Sequence, residues 1–261
     1  MYVRKSIVYQ VKWETGKPEN LKETTIFKVK KPLWKRILRW FVILLLASLV
    51  YSVLCLWLMP PITFTQVSNS FAYGLKRDYV SWNQISPNVK LAAMASEDQL
   101  FVDHNGFDWK SLEKSLEGKH GKKQKTRGTA ASTISQQTAK NVFLWQGGGV
   151  FKYLRKAPEF FYTAVIELLW SKQRIMEVYL NVIEMGPGIF GIEAASRHYF
   201  KKPAKSLSRQ EAAMIIGCLP NPKKYKVKPP SRFVQWKSNW IMRQMNVIEG
   251  DPDVRSFIKS K

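Results

Sequence analysis

Residues 88–109 read NVKLAAMASEDQLFVDHNGFDW. In the first half, Val89, Leu91, Ala92, Ala93 and Ala95 form an apolar run that predicts a buried helix. Ser86 or Asn88 caps it, and it ends near the acidic pair Glu97-Asp98. The second half gathers carboxylates and His104 around Phe101, Phe107 and Gly106. Such a cluster has three readings: metal ligands, the rim of an active site, or an ordinary acidic loop.

Outward from this stretch, helical patterns dominate. Thr133 to Trp145 predicts a helix with a polar first half, and a Gly147-Gly148-Gly149 break follows. Pro158 to Ile183 is the longest helical pattern. Pro158 fits only in its first turn, and Ser171-Lys172 marks a kink or boundary. Further helices are expected over 189–200, 206–219 and about 233–248. Strand signals are sparse, with one short strand expected at Thr63–Val67. Residues 109–127 lose their periodicity in Gly, Lys and Gln and predict a solvated, mobile loop.

Upstream, FVILLLASLVYSVLCLWLM (Phe41 to Met59) runs 19 residues without a charge and stops at Pro60-Pro61. About 20 apolar residues span a bilayer core as a helix. A cleaved signal peptide has a shorter apolar region and small residues at its cleavage site, which Leu56-Trp57-Leu58-Met59 does not offer. Residues 1–39 carry 11 Lys/Arg against 3 Asp/Glu, whereas residues 60–75 carry no charge. The positive-inside bias therefore predicts a cytoplasmic N-terminus and an exported remainder.

The chain carries a formal net charge of +23, of which the exported part keeps +15. That part meets no nucleic acid in its compartment, so anionic lipid head groups are the expected polyanion. Cys55 and Cys218 are the only cysteines, and His104, His120 and His198 are scattered without zinc spacing. No structural metal site or disulfide is expected. The predicted organisation is a basic cytoplasmic tail (1–40), a transmembrane helix (41–59), a linker or membrane-proximal segment (60–87), a main exported domain (88–250) and a C-terminal tail (251–261).

Candidate chemistry lies where polar residues crowd helix ends. Glu97 follows an apolar helix face, where partial burial would tune a base or acid. Gln136 and Lys140 stand four apart on one helical face, suited to sugar hydroxyls and a phosphate. Arg155 and Lys156 add cation beside Glu159. Spacing alone leaves the bland readings open: solvated caps, surface amides, and a Glu159 that merely suits a helix dipole.

Taken together, these segments resemble the peptidoglycan glycosyltransferases that polymerise lipid II, in their monofunctional transglycosylase branch. EDQLFVDHNGFD (97–108), ASTISQQTAKN (131–141), RKAPE (155–159), KQRIMEVYLN (172–181) and GIFGIEAASRHYF (188–200) with LPNP (219–222) look like that family's ordered motifs. The chain departs from them at Ala130, at Pro158 and at Gly147–Gly149, where Lys152 is the nearest cation.

The resemblance implies a mainly α, lysozyme-like glycosyltransferase fold behind a single N-terminal transmembrane helix, in the bacterial inner membrane with its catalytic domain periplasmic. It implies lipid II and a growing lipid-linked glycan as substrates, no tightly bound cofactor, and Mg2+ or another divalent cation as an optional source of charge. Other cell-wall synthesis and division proteins are implied as partners. By position, Glu97 is the general base and Glu159 the second carboxylate. Ser132, Gln136, Lys140, Asn141, Lys152, Arg155 and Lys156 bind substrate, and Asp98, Phe101, His104, Gly106 and Asp108 shape the first motif. A lytic glycan hydrolase and a non-catalytic membrane scaffold are the competing readings.

Overall fold

The computed structural model describes residues 4–10, 13–14, 17–18, 22–28, 33–109, 132–146 and 153–260. Lys152, Ala130, Gly147–Gly149 and nearly all of the 109–127 loop lie outside these described residues. The chain divides into two compact units, 1–50 and 51–261. In the first, β1 (Arg4–Gln10) pairs antiparallel with β4 (Lys22–Lys28), Arg4 opposite Lys28, around the short pair β2 (Trp13–Glu14) and β3 (Lys17–Pro18). Helix α1 (Leu33–Leu54) follows. It is long and apolar enough to cross a membrane, and almost none of its apolar window is buried within the protein. The helix starts eight residues before the uncharged stretch that opens at Phe41, because Lys35, Arg36 and Arg39 are good helix formers.

The second unit is mainly helical. Helix α3 (Pro87–Glu97) forms its centre: Val89, Leu91, Ala92, Ala93, Met94 and Ala95 are all at most 1% exposed. Small alanines let neighbours approach closely, and α3 packs on α8 (Arg209–Gly217) and α9 (Arg232–Ile248). Beside it, α4 (Ile134–Phe143) packs against both α5 (Lys156–Leu169) and α6 (Lys172–Val182). The long pattern predicted over 158–183 is thus two helices. Trp170 leaves helical geometry, and Ser171 restarts the chain by capping Arg174 N at 3.1 Å. Pro158 falls in the first turn of α5, as its missing N–H requires.

Two segments differ from their sequence reading. The strand expected at Thr63–Val67 is helix α2 (Phe64–Tyr73). Thr63 and Gln66 form a capping box: Gln66 N donates to Thr63 Oγ1 at 3.3 Å, and Thr63 N to Gln66 Oε1 at 3.2 Å. Two satisfied N-terminal donors outweigh the β preference of Thr, Phe and Val. The rest of the 60–87 stretch is ordered too. Strand β5 (Lys76–Arg77) runs parallel to β7 (Ile189–Phe190), which pairs antiparallel with β6 (Glu184–Gly186). The Asn181 amide closes two hydrogen bonds on the Val80 backbone, each 2.9 Å.

The second difference is at the C-terminus. Residues read as a tail form α10 (Pro252–Lys259), after helix α7 (Ile192–Phe200) and the helices α8 and α9 already described. Asp251 caps Asp253 N at 2.8 Å and Pro252 occupies the first turn. Val254 and Ile258, four apart, are buried.

The α2 capping box makes a direct stability prediction. Thr63→Ala removes one acceptor from the helix start and should lower unfolding free energy by about 1 kcal/mol. Denaturant titration of the full chain in detergent measures it; Thr63→Ser should lose much less.

Candidate active site

The loop after α3 is held in place by one carboxylate. Asp98, nearly buried, accepts from His104 Nε2 at 2.9 Å (Oδ1) and 3.0 Å (Oδ2), and from Ile134 N at 2.9 Å. Gly106 N donates to His104 Nδ1 at 3.1 Å, so the proton of this imidazole sits on Nε2 and points at Asp98. Ile134 is the first residue of α4, whose leading N–H groups have no partner inside the helix. Asp98 therefore ties the first motif to the start of the second, and its negative charge suits a helix N-terminus.

Further contacts close the same frame. Thr133 Oγ1 donates to Gly106 O at 2.7 Å. Gly106 has φ +85°, and a Cβ there would lie 2.7 Å from Glu167 Cγ, so both backbone and space demand glycine. Glu167 accepts from Ser135 Oγ and from Lys172 Nζ, the latter at 2.8 Å. Lys172 Nζ also donates to His104 O and lies 4.7 Å from the centre of the fully buried Phe101 ring. Phe101, His104 and Gly106 are thus scaffold in this geometry; Asp108 is half-buried at the end of the loop.

Glu97, the last residue of α3, is half-exposed in this frame. Its Oε1 accepts from Ser96 Oγ at 2.9 Å and its Oε2 from Gln137 Nε2 at 3.0 Å. Each oxygen keeps a lone pair for a substrate proton. Gln137 also receives a contact from Tyr179 Oη at 3.4 Å. The amide beside Glu97 is therefore Gln137 and not Gln136. Gln136 is turned into the capping box of α4, its Oε1 accepting from Thr133 N at 3.1 Å and its N donating to Thr133 Oγ1 at 3.1 Å. The T-x-x-Q spacing at 133–136 was the signal that separates the two.

Helix α5 brings up the second carboxylate. Glu159 is 2% exposed and accepts from Lys156 Nζ at 2.6 Å, with Arg155 Nε 3.8 Å away. Arg155 is itself buried; one terminal nitrogen donates to Trp145 O at 2.8 Å, while its Nε has no hydrogen-bond partner. Lys140, one turn from Gln137 on α4, has its pKa lowered first by burial, opposed by the attraction of Glu159. Repulsion from Arg155 and Lys156 lowers it further, and Glu97 raises it. A single ammonium thus senses both carboxylates. Asn141 is buried and bonded back to Gln137 O at 2.8 Å, and the Ser132 carbonyl accepts from Gln137 Nε2 at 3.3 Å.

One cation went unread in the sequence. Lys237 of α9 is buried, its Nζ 4.0 Å from the centre of the Trp240 ring. Burial lowers its pKa and Glu97 raises it. Its place in an amphipathic helix of mixed charge gave no sign that it faces inward. Among the described residues, no group of three or more His, Cys, Asp or Glu side chains could hold a metal ion.

The comparisons with known proteins agree with this geometry. A family model described as Transglycosylase matches residues 65–246, beginning inside α2. The chain is 50% identical over 184 residues to the "Biosynthetic peptidoglycan transglycosylase" of Yersinia pseudotuberculosis serotype O:3 (strain YPIII), covering 70% of this chain and 74% of that protein. The protein of the same name from Yersinia pestis (strain Pestoides F) matches to the same extent. With its helical frame, paired carboxylates and cation-lined face, the chain belongs to the transglycosylase family.

Proposed function

We propose that this chain, a peptidoglycan glycosyltransferase by family, polymerises lipid II into β-1,4-linked glycan at the outer face of the bacterial inner membrane. The 4-hydroxyl of the acceptor GlcNAc attacks C1 of the donor MurNAc. The C1–O bond to the pyrophosphate breaks, undecaprenyl pyrophosphate leaves, and the sugar inverts. The proton of the attacking hydroxyl passes to Glu97. The observation that carries this reading is the arrangement around α4: Gln137 fixes Glu97, and one turn on, Lys140 lies in the field of both Glu97 and Glu159. A base on one side and cation on the other is what an inverting displacement with an anionic leaving group needs.

In this reading Lys140 and Arg155 neutralise charge as it grows on the pyrophosphate, with Lys152 and Lys156 as further cations. Glu159 holds Lys156 directly and attracts Lys140, so it organises the cationic side and the acceptor beside it. Ser132 and Gln136 act by shaping the start of α4, and Asn141 by bonding back to Gln137 O in its second half. Among the described residues no group of three or more acidic, His or Cys side chains gathers to cage a divalent cation, and Glu159 already holds Lys156.

The membrane setting rests on α1 and on the charge asymmetry around it, with the N-terminus cytoplasmic. Outward apolar side chains on α2 and α5, Phe71 at 88% exposure and Leu168 at 85%, support a lipid-facing surface. Cell-wall synthesis and division proteins would be met on the same membrane.

Two measurements test the chemistry. Glu97→Gln keeps the hydrogen-bonding shape and removes the base, so the rate of glycan formation from labelled lipid II should fall about 10²–10⁴-fold; unchanged chain growth would contradict the assignment. For Lys140 the charged form is the active one and its folded pKa is lowered, so the rate should fall with rising pH before an ordinary lysine would titrate, below 10.5. Lys140→Arg does not titrate there and should carry the alkaline limb to higher pH, while Lys140→Met should lose about 10²-fold at neutral pH. Initial rates from pH 6 to 10 decide it.

A further inference from the structure

Helix α10 begins after the matched family region ends at residue 246, yet it reaches the first motif directly. Its Phe257 ring lies edge-on to Phe101, centroids 5.7 Å apart at 68°, and edge-on to Trp82 at 5.3 Å and 68°. Trp82 Nε1 donates to Ser260 O at 2.8 Å, which fixes the far end of the helix. The near end is fixed as well: Asp251 caps it, Asp251 N donates to Ile248 O at 3.1 Å, and Arg255 Nε donates to Glu249 O at 2.7 Å. Helix α10 is therefore held at both ends, with Phe257 against the motif.

Phe101 is fully buried, and two rings and one ammonium lie against it. The His104 ring stands edge-on at 6.4 Å and 86°, Lys172 Nζ lies 4.7 Å from the ring centre, and Phe257 makes the third contact. His104 in turn donates an Nε2–H hydrogen bond to Asp98, the neighbour of Glu97. Removing the Phe257 ring opens space beside Phe101. Well-packed interiors transmit such a gap as a side-chain shift. We infer that Phe257 is a positioning residue for the first motif: through Phe101 it holds the Asp98–His104 pair, and with it the aim of Glu97. The C-terminal helix then serves catalysis without touching substrate. This rests on the reading of Glu97 as the base.

Val254 and Ile258 provide the control, because they bury the same helix but have no ring to set against Phe101. The full chain in detergent is assayed with labelled lipid II, each variant well below its own Tm. Phe257→Ala should lower kcat about 10- to 100-fold with KM within twofold, as expected for a displaced catalytic group. Phe257→Tyr, which keeps the ring, should stay within twofold of the parent in kcat. Val254→Ala should lower Tm comparably yet keep kcat within about threefold. Should Phe257→Ala not fold, Phe257→Leu takes its place and should show the same kcat-selective loss. Wild-type kcat in the folded Phe257 variant, or an equal kcat loss in Val254→Ala at equal Tm loss, overturns the inference. If Glu97→Gln were fully active the base assignment alone would fail, whereas the Phe257 and Val254 comparison would still report on the motif.

Discussion

The Asp98 carboxylate is the constraint on which the site depends. It is nearly buried, and burying an ionisable group is costly unless donors surround it. Here the donors come from two places: an imidazole six residues ahead and the first amide of a helix 36 residues ahead. Either donor alone would leave lone pairs buried without partners. Together they close the loop after α3 onto the start of α4, and Glu97 and Gln137 meet because their supports are locked. Gly106, Thr133, Glu167 and Lys172 reinforce the same closure from the third and fourth sides.

Charge in the site follows a similar logic. A surface of +23 is easily solvated, but Lys140, Arg155 and Lys237 are drawn partly or wholly out of water. Burial disfavours the charge of Lys140 and Lys237; Glu159 and Glu97 restore part of it at Lys140, and Glu97 at Lys237. Cations arranged this way bind an added anion more strongly than solvated ones do, since the anion meets charge whose water has already been removed. The pyrophosphate leaving group of the proposed reaction is an anion of the right kind. The arrangement also explains why Glu159 is so deeply buried: it is the counter-ion that makes a cluster of like charges tolerable before substrate arrives.

Much of this was legible in the chain. The alanine-rich core of α3, the boundary at Ser171 and the role of Pro158 were readable from residue type and spacing, and the ordered motifs from the resemblance to the peptidoglycan glycosyltransferases. What was not legible had identifiable causes. The β-favouring run Thr63–Val67 hid a capping box whose reciprocal hydrogen bonds decided for helix. Asp251-Pro252-Asp253 is a helix start, but a short segment after a glycine reads as a tail until a partner such as Trp82 is known. Gln136 and Gln137 are adjacent and chemically identical, and the T-x-x-Q cap spacing at 133–136 was the one signal of which of them turns away from Glu97. Lys237 was invisible because inward-facing lysines look like any other lysine on an amphipathic helix.

The central claim is that one carboxylate bridge aims the base. Asp98→Ala, purified as the full chain, should fold, bind lipid II with near-parental KM, and lose kcat about 100-fold. Amide hydrogen exchange should at the same time show the Ile134 N–H losing protection while the core of α3 keeps it. A variant that polymerises lipid II at the parental rate, with Ile134 still protected, would show that Glu97 is aimed by something other than Asp98.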